Sequence, residues 1–241
     1  MPTYRKPPIT EAVIGIQLAE NVELERLEKV SERLGKLYAR QQPLLTAKLT
    51  VMPDGKTSSV VQKVGTQFMS EDGADITFLK SDGIVISRLA PYLGWGSLEE
   101  RFLRDWKIWK KPLRGSRSGR LGVRYINRID VPCSLGAPVK IEEYFRCSIE
   151  TPDPEMNFLD YHFRFVTPLT RDGVILIVNS GTAPEQIIDH CSFVLDIDVG
   201  HDHVDVTGDA LVGEIAMLRN EKNMAFETYV TATAKELFEA L

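Results

Sequence analysis

This sequence has few of the residues that most often carry chemistry. Its three cysteines, Cys133, Cys147 and Cys191, are far apart and odd in number, and there are only four histidines among 241 residues. Without a C-x-x-C pair, a zinc ribbon and a thioredoxin-type dithiol are both excluded. The three thiols are expected to be buried and free. Long hydrophobic runs are missing too: Val174-Ile175-Leu176-Ile177-Val178 is of strand length, far short of the ~20 residues that a membrane-crossing helix needs. The start of the chain, Met1 to Pro8, has no apolar segment after its charges and so does not read as a secretory leader. The expectation is a cytoplasmic protein with no membrane partner. No G-x-S-x-G elbow occurs. Gly55-Lys56-Thr57 is similar to the end of a phosphate-binding loop, but Thr50 stands where that loop needs its first glycine. No cofactor is expected.

What is present is a core and a pattern. Hydrophobic residues make up 43% of the chain and charged residues 26%, ordinary values for a globular protein. Ala12–Leu18 is short and β-branched, as a strand requires. Asn21 is placed to cap a helix in which Leu24, Leu27, Ser31, Leu34 and Tyr38 recur at three- and four-residue spacing to about Gln41, with Pro43 as its stop. Two hairpins follow. Leu44–Met52 and Ser58–Val64 flank the turn Pro53-Asp54-Gly55-Lys56, and Ile76–Lys80 and Ile84–Leu89 flank Asp82-Gly83. Ser97-Leu98-Glu99-Glu100 fits a capping box and opens a helix with Leu98, Phe102, Trp106, Trp109 and Leu113 on one face.

The second half reads as a looser copy. Arg120–Val131 is a long strand and Ile141–Arg146 a short helix. Leu159–Leu169 alternates, Asp172-Gly173 turns into Val174–Asn179, and Cys191–Val199 alternates again. From about Thr207 the chain is helical to Leu241. The predicted fold is therefore α+β. It has two related halves, 1–118 and 119–241, in the order β-α-β4-α, each an antiparallel sheet packed against helices within one compact unit. Arg114 to Gly119 is the joint. That order is similar to the duplicated saddle of the TATA-binding protein, a likeness of fold that carries no function.

A second resemblance covers the whole chain. Pro7-Pro8-Ile9-Thr10-Glu11-Ala12-Val13, then Gly122-Val123-Arg124-Tyr125-Ile126-Asn127-Arg128-Ile129, then Leu195-Asp196-Ile197-Asp198, and finally Asn223 with Phe226, Thr231 and Leu237 together resemble a sporadically distributed family of uncharacterised bacterial proteins of about this length. The resemblance implies a bacterial source and a stand-alone protein and assigns no activity. Patchy distribution fits mobile or defence-associated genes.

The charge is divided unevenly. Residues 1–118 hold 19 Lys and Arg against 14 Asp and Glu, whereas residues 119–241 hold 10 against 20. From Arg101 to Arg128 there are ten basic residues and one acid, Asp105. Along a strand, Arg120, Arg124 and Arg128 share one face, and with Arg114 and Arg117 they are candidates for holding an anion or an acidic partner. Cross-strand pairing with Asp160, Asp196 and Asp198 within the fold is the leading reading of the same residues. Asn127 falls on the apolar face of its strand and is expected to be a structural hydrogen-bonding residue. Trp95, Trp106 and Trp109 have the spacing of core residues. His201-Asp202-His203-Val204-Asp205 resembles part of the metallo-β-lactamase metal motif, with Val206 where that motif has a histidine. A solvated turn is the simpler reading of this stretch, and His201 and His203 stay as weak metal candidates. The leading expectation is a non-enzymatic interaction protein, a regulatory or toxin-neutralising partner in a bacterial system, with self-association an open alternative. A nucleic-acid-binding protein using Arg101–Arg128 is second. A metal- or phosphate-dependent enzyme is third.

Overall fold

The computed structural model describes residues 4–52, 55, 57–113, 117–133, 140–147 and 160–239. Within them the chain is α+β, with one antiparallel sheet of nine strands. In chain order these are β1 (Ile9–Leu18), β2 (Arg40–Val51), β3 (Thr57–Met69), β4 (Asp75–Lys80), β5 (Gly83–Leu89), β6 (Ser118–Pro132), β7 (His162–Pro168), β8 (Val174–Ala183) and β9 (His190–Asp205). The helices are α1 (Leu24–Gly35), α2 (Trp95–Lys110), α3 (Leu211–Tyr229) and α4 (Ala232–Leu237). Across the sheet the order is β2-β3-β4-β5-β1-β6-β9-β8-β7. The two halves thus share one continuous sheet through the β1–β6 pairing, in which Gly15 lies opposite Gly122. In the second half three strands, not four, follow the short helix among the described residues.

All the helices named above pack on one sheet face, where alternate residues of each strand meet them. Ala12, Ile14 and Ile16 of β1, Leu121, Val123 and Tyr125 of β6, and Leu195, Ile197 and Val199 of β9 are buried beneath Phe102, Trp106 and Trp109 of α2 and Leu211, Ile215 and Leu218 of α3. The tryptophans are core residues, and Trp106 donates its ring N–H to the Val206 carbonyl at 2.8 Å. The opposite face carries the charged residues of β6 and β9. Among the described residues no helix is long and apolar enough to cross a membrane.

Several boundaries differ from the sequence reading for identifiable reasons. Helix α1 ends at Gly35, not near Gln41, because Tyr38 turns inward to donate its hydroxyl to Asp105 at 2.5 Å. Pro43 lies inside β2, opposite Thr66. An edge strand tolerates the missing N–H. Glu23, not Asn21, precedes α1 without a side-chain cap. The start of α2 falls at Trp95, after Gly94 at φ 96° redirects the chain, so Ser97 is inside the helix. The last helix is broken: Val230 is extended and bridges Phe145, and Thr231 then caps α4 by accepting the Ala234 N–H at 3.2 Å. The segment 201–203 continues β9 and is not a turn. Of the short helix expected at Ile141–Arg146, only a 3-10 turn at Ile141–Glu143 forms.

The thiols are the clearest correction. Cys133 and Cys191 form a disulfide with their Cα atoms 5.8 Å apart. Cys147 alone is free. The pairing follows from register: Val131 of β6 lies opposite Cys191 of β9, so Cys133, two residues on, returns to the same side.

Candidate functional site

The arginines of β6 lie on the open face, each already engaged. Arg120 donates to Asp198 at 2.9 Å and comes within 3.9 Å of Asp202. Arg124 makes a two-pronged contact with Asp196, both bonds 2.8 Å, and Asn179 donates to the same carboxylate at 2.9 Å. The Asp196 hydrogen bonds hold the Arg124 guanidinium above its ordinary pKa against the opposing effect of burial. Arg128 reaches Asp130 at 3.0 Å, Ser192 at 2.5 Å and the Pro184 carbonyl at 2.7 Å. Arg117 approaches Glu20 at 3.7 Å. Arg114 lies outside the described residues. Within α2, Arg101 is buried and donates to the Ile76 and Ser87 carbonyls, Arg104 pairs with Asp105 at 2.8 Å, and Lys110 pairs with Asp209 at 3.0 Å.

Two strand glycines make the Arg120 contact possible. A Cβ on Gly200 would sit 2.3 Å from the Arg120 guanidinium, and one on Gly122 would sit 2.6 Å from it, so the side chain lies flat across both positions. Gly200→Ala should push this flexible end off Asp198. The expected loss is small, about 1 kcal/mol or less for a pair partly open to solvent. In urea unfolding it should shrink further at high salt.

His201 pairs with an acidic side chain of the helix layer. Its Nδ1 lies 2.9 Å from Glu214 of α3, which also accepts from Arg171 at 2.8 Å. His203 is in the same strand with φ 61°. No group of three or more His, Cys, Asp or Glu that could hold a metal occurs among the described residues.

Two features were missed in the sequence. The first is a cavity of about 410 Å³ between β6, α3, the start of α2 and the segment 4–9. Trp95, Tyr92, Tyr125 and Phe226 supply apolar walls, and Asn127, Asn223, Arg219 and Lys222 supply polar groups. Lys222 is only 5% exposed, and its ammonium sits 3.4 Å from the centre of the Tyr125 ring. Burial, helped by the nearby Arg219 charge and opposed by Glu227, lowers its pKa to about 7. Tyr92 and Tyr125 share a hydrogen bond of 2.5 Å, and burial pushes the Tyr125 phenol well above its ordinary range. Asn127 donates to the Leu195 carbonyl at 2.9 Å and, more weakly, to that of Tyr125 at 3.4 Å. Among the described residues no donor reaches its Oδ1. The signal for this site was available. Leu211, Ile215, Leu218, Lys222 and Phe226 form one helical stripe, with a lysine where the period calls for an apolar residue. Pro7, Pro8, Tyr125, Asn127, Asn223 and Phe226, which carry the bacterial-family resemblance, also all line the cavity.

The second feature is a ribbon. The β3–β4 pairing ends at Gly65 opposite Lys80, whereas β2 and β3 stay paired out to Val51 and Thr57. The freed part is about seven residue pairs, on the order of 20 Å at strand rise. A Cβ on Gly65 would meet the Leu79 carbonyl oxygen at 2.3 Å, so the ribbon leaves the sheet where only glycine fits. Beyond that point Leu45, Leu49 and Val61 are 60–66% exposed. Val61 lies opposite Ala47, which puts it on the ribbon face of Leu45 and Leu49. The turn Pro53-Asp54-Gly55-Lys56 lies mostly outside the described residues.

Compared with protein-family models and with curated proteins, the chain matches neither.

Proposed function

We propose that this chain is a non-enzymatic interaction protein, a regulatory or adaptor partner in a bacterial system, and that it holds another protein with the β2–β3 ribbon. One observation carries the reading: Leu45, Leu49 and Val61 share one face of a two-stranded ribbon and are exposed to solvent. A lone two-stranded ribbon is marginal in water, and large aliphatic groups gathered on an exposed face mark contact surfaces. The arginine row supports this reading less, and nucleic-acid binding less still. Arg120, Arg124 and Arg128 each hold a carboxylate of the sheet, so recruiting them would first break those pairs.

The reading extends to ancestry. Outward from β1 the neighbours run β5-β4-β3-β2, and outward from β6 they run β9-β8-β7. In each case the first strand of the half lies beside its last. This supports two related halves in a saddle-like sheet similar to that of the TATA-binding protein; membership of the bacterial family rests on the sequence motifs alone. A defence or toxin-neutralising locus is the setting which that resemblance favours.

The test is site-specific photo-crosslinking in a bacterial host, with the probe at Leu49 or Val61 and a control probe at Lys107 on the exposed side of α2. The ribbon probes should trap one protein of fixed mass that the control does not, and Leu45→Asp should abolish the adduct. An adduct of twice the chain mass would replace a foreign partner by self-association. No adduct from the ribbon, or the same adducts from the control, would overturn the proposal.

A further inference from the structure

We infer that the cavity between β6 and α3 is a binding site for a small anionic molecule, a carboxylate or phosphate ester with an apolar body, with Lys222 as the buried group that receives the charge. This is independent of the ribbon reading.

The argument starts from the lysine. A side chain this buried is rarely an ammonium unless it is paired, and among the described residues Lys222 has neither a salt bridge nor a hydrogen bond. Its ammonium instead lies against the face of the Tyr125 ring, 3.4 Å away. A ring face attracts a cation but accepts none of its three N–H bonds in the way a carboxylate or phosphate would. The surroundings add positive charge rather than cancel it. Arg219 lies over Trp95 at 5.0 Å, and Arg5 stands at the rim. Among the described residues neither has a carboxylate within salt-bridge distance. The one acid in the lining, Glu227, is already taken: it accepts the Tyr4 hydroxyl at 2.8 Å and pairs with Lys235 at 2.7 Å. Among the described residues the cavity therefore holds three basic groups, Lys222, Arg219 and Arg5, none of them in a salt bridge.

The rest of the lining defines the body of the ligand. Trp95, Tyr92, Tyr125 and Phe226 give flat apolar walls, and the free Oδ1 of Asn127 with the Asn223 amide gives neutral polar contacts. The volume of about 410 Å³ is that of a small-molecule site. Inorganic phosphate alone would leave most of it unfilled.

The test uses inorganic phosphate, phenyl phosphate, benzoate and, as a neutral control, benzyl alcohol, measured by calorimetry and melting temperature at pH 6.5. Phenyl phosphate or benzoate should bind one per chain, at least tenfold more tightly than inorganic phosphate or benzyl alcohol. Whichever of the two binds more tightly identifies the headgroup. Binding should weaken at least tenfold in Lys222→Met and in Arg219→Gln, the second a partly exposed position that leaves the core intact. Raising the pH from 6.5 to 9 should also weaken it as the ammonium loses its proton. The titratable and charged groups facing Lys222 are Tyr4 and Arg5 from the 4–9 segment, Tyr92 before α2, Tyr125 of β6, and Arg219 and Glu227 of α3. The three phenols are all pushed upward by burial and stay protonated over this interval. The inference is overturned if neither anion outbinds benzyl alcohol, if inorganic phosphate binds as well as phenyl phosphate, or if both variants bind like the parent.

Discussion

Lys222→Met should make the unliganded protein more stable at pH 6, and the gain should fade as the pH is raised towards 10.5. Burial holds the ammonium at a pKa of about 7 in the fold, against ~10.4 in an unfolded chain. Below pH 7 the group is charged in both states, and the full penalty of burying it is present. Between pH 7 and about 10.5 the unfolded chain binds more protons than the folded one, so the parent gains stability as the pH rises. Above that window the amine is neutral in both states and the penalty is gone. Methionine fills similar volume without charge, so its advantage at pH 6 should be on the order of 4–5 kcal/mol, roughly 10–15 °C in melting temperature. Thermal unfolding of both proteins at pH 6, 8 and 10 measures it. An advantage that stays constant with pH would mean that the ammonium is solvated.

Asp105→Ala should have the opposite effect and a comparable size. Its carboxylate is fully buried and accepts from the Tyr38 hydroxyl at 2.5 Å, the Thr77 hydroxyl at 2.9 Å and Arg104 at 2.8 Å. It thereby ties α2 to β4 and to the chain just beyond α1. Burial and the Asp105 charge together push the Tyr38 phenol up to about 12. Alanine removes the acceptor the two hydroxyls share, leaving them only each other at 2.7 Å, and leaves a void, for an expected loss of about 3–5 kcal/mol, roughly 10 °C or more in melting temperature. Arg104 is partly solvated, so Arg104→Gln should cost about 1 kcal/mol or less. Chemical denaturation of the two variants side by side checks the ranking. Equal losses would show that the arginine, not the hydroxyl pair, is what the carboxylate serves.

Much of the fold was legible because it is written locally. Period-two alternation marked β6, β7 and β9, the Asp82-Gly83 and Asp172-Gly173 turns marked the reversals, and the tryptophan spacing marked the buried side of α2. Boundaries set by distant partners were not legible. Tyr38 leaves α1 for a carboxylate 67 residues away, and Val230 leaves α3 to bridge Phe145. The Cys133–Cys191 pair, 58 residues apart, depends on the register between β6 and β9, which spacing alone does not encode. The arginine face was legible from the alternation of β6, and two of the expected partners, Asp196 and Asp198, do hold Arg124 and Arg120, whereas Arg128 pairs with Asp130 of its own strand rather than with Asp160. Lys222 was the readable clue that went unread. Its place in an apolar stripe was visible, whereas the rings and amides around it are drawn from four separate parts of the chain.

The place of β1 bears on how the chain assembles. β1 comes before the other eight strands of the sheet in the chain, yet it stands in the middle, with β5 on one side and β6 on the other. One flank of it must therefore stay open through roughly a hundred residues of synthesis, and contacts of that span slow folding. The first wing cannot finish alone during translation, because β1 lacks its second neighbour until β6 follows. Until Ser118–Pro132 arrives, the nascent chain presents a bare apolar edge, the kind of surface on which molecular chaperones act.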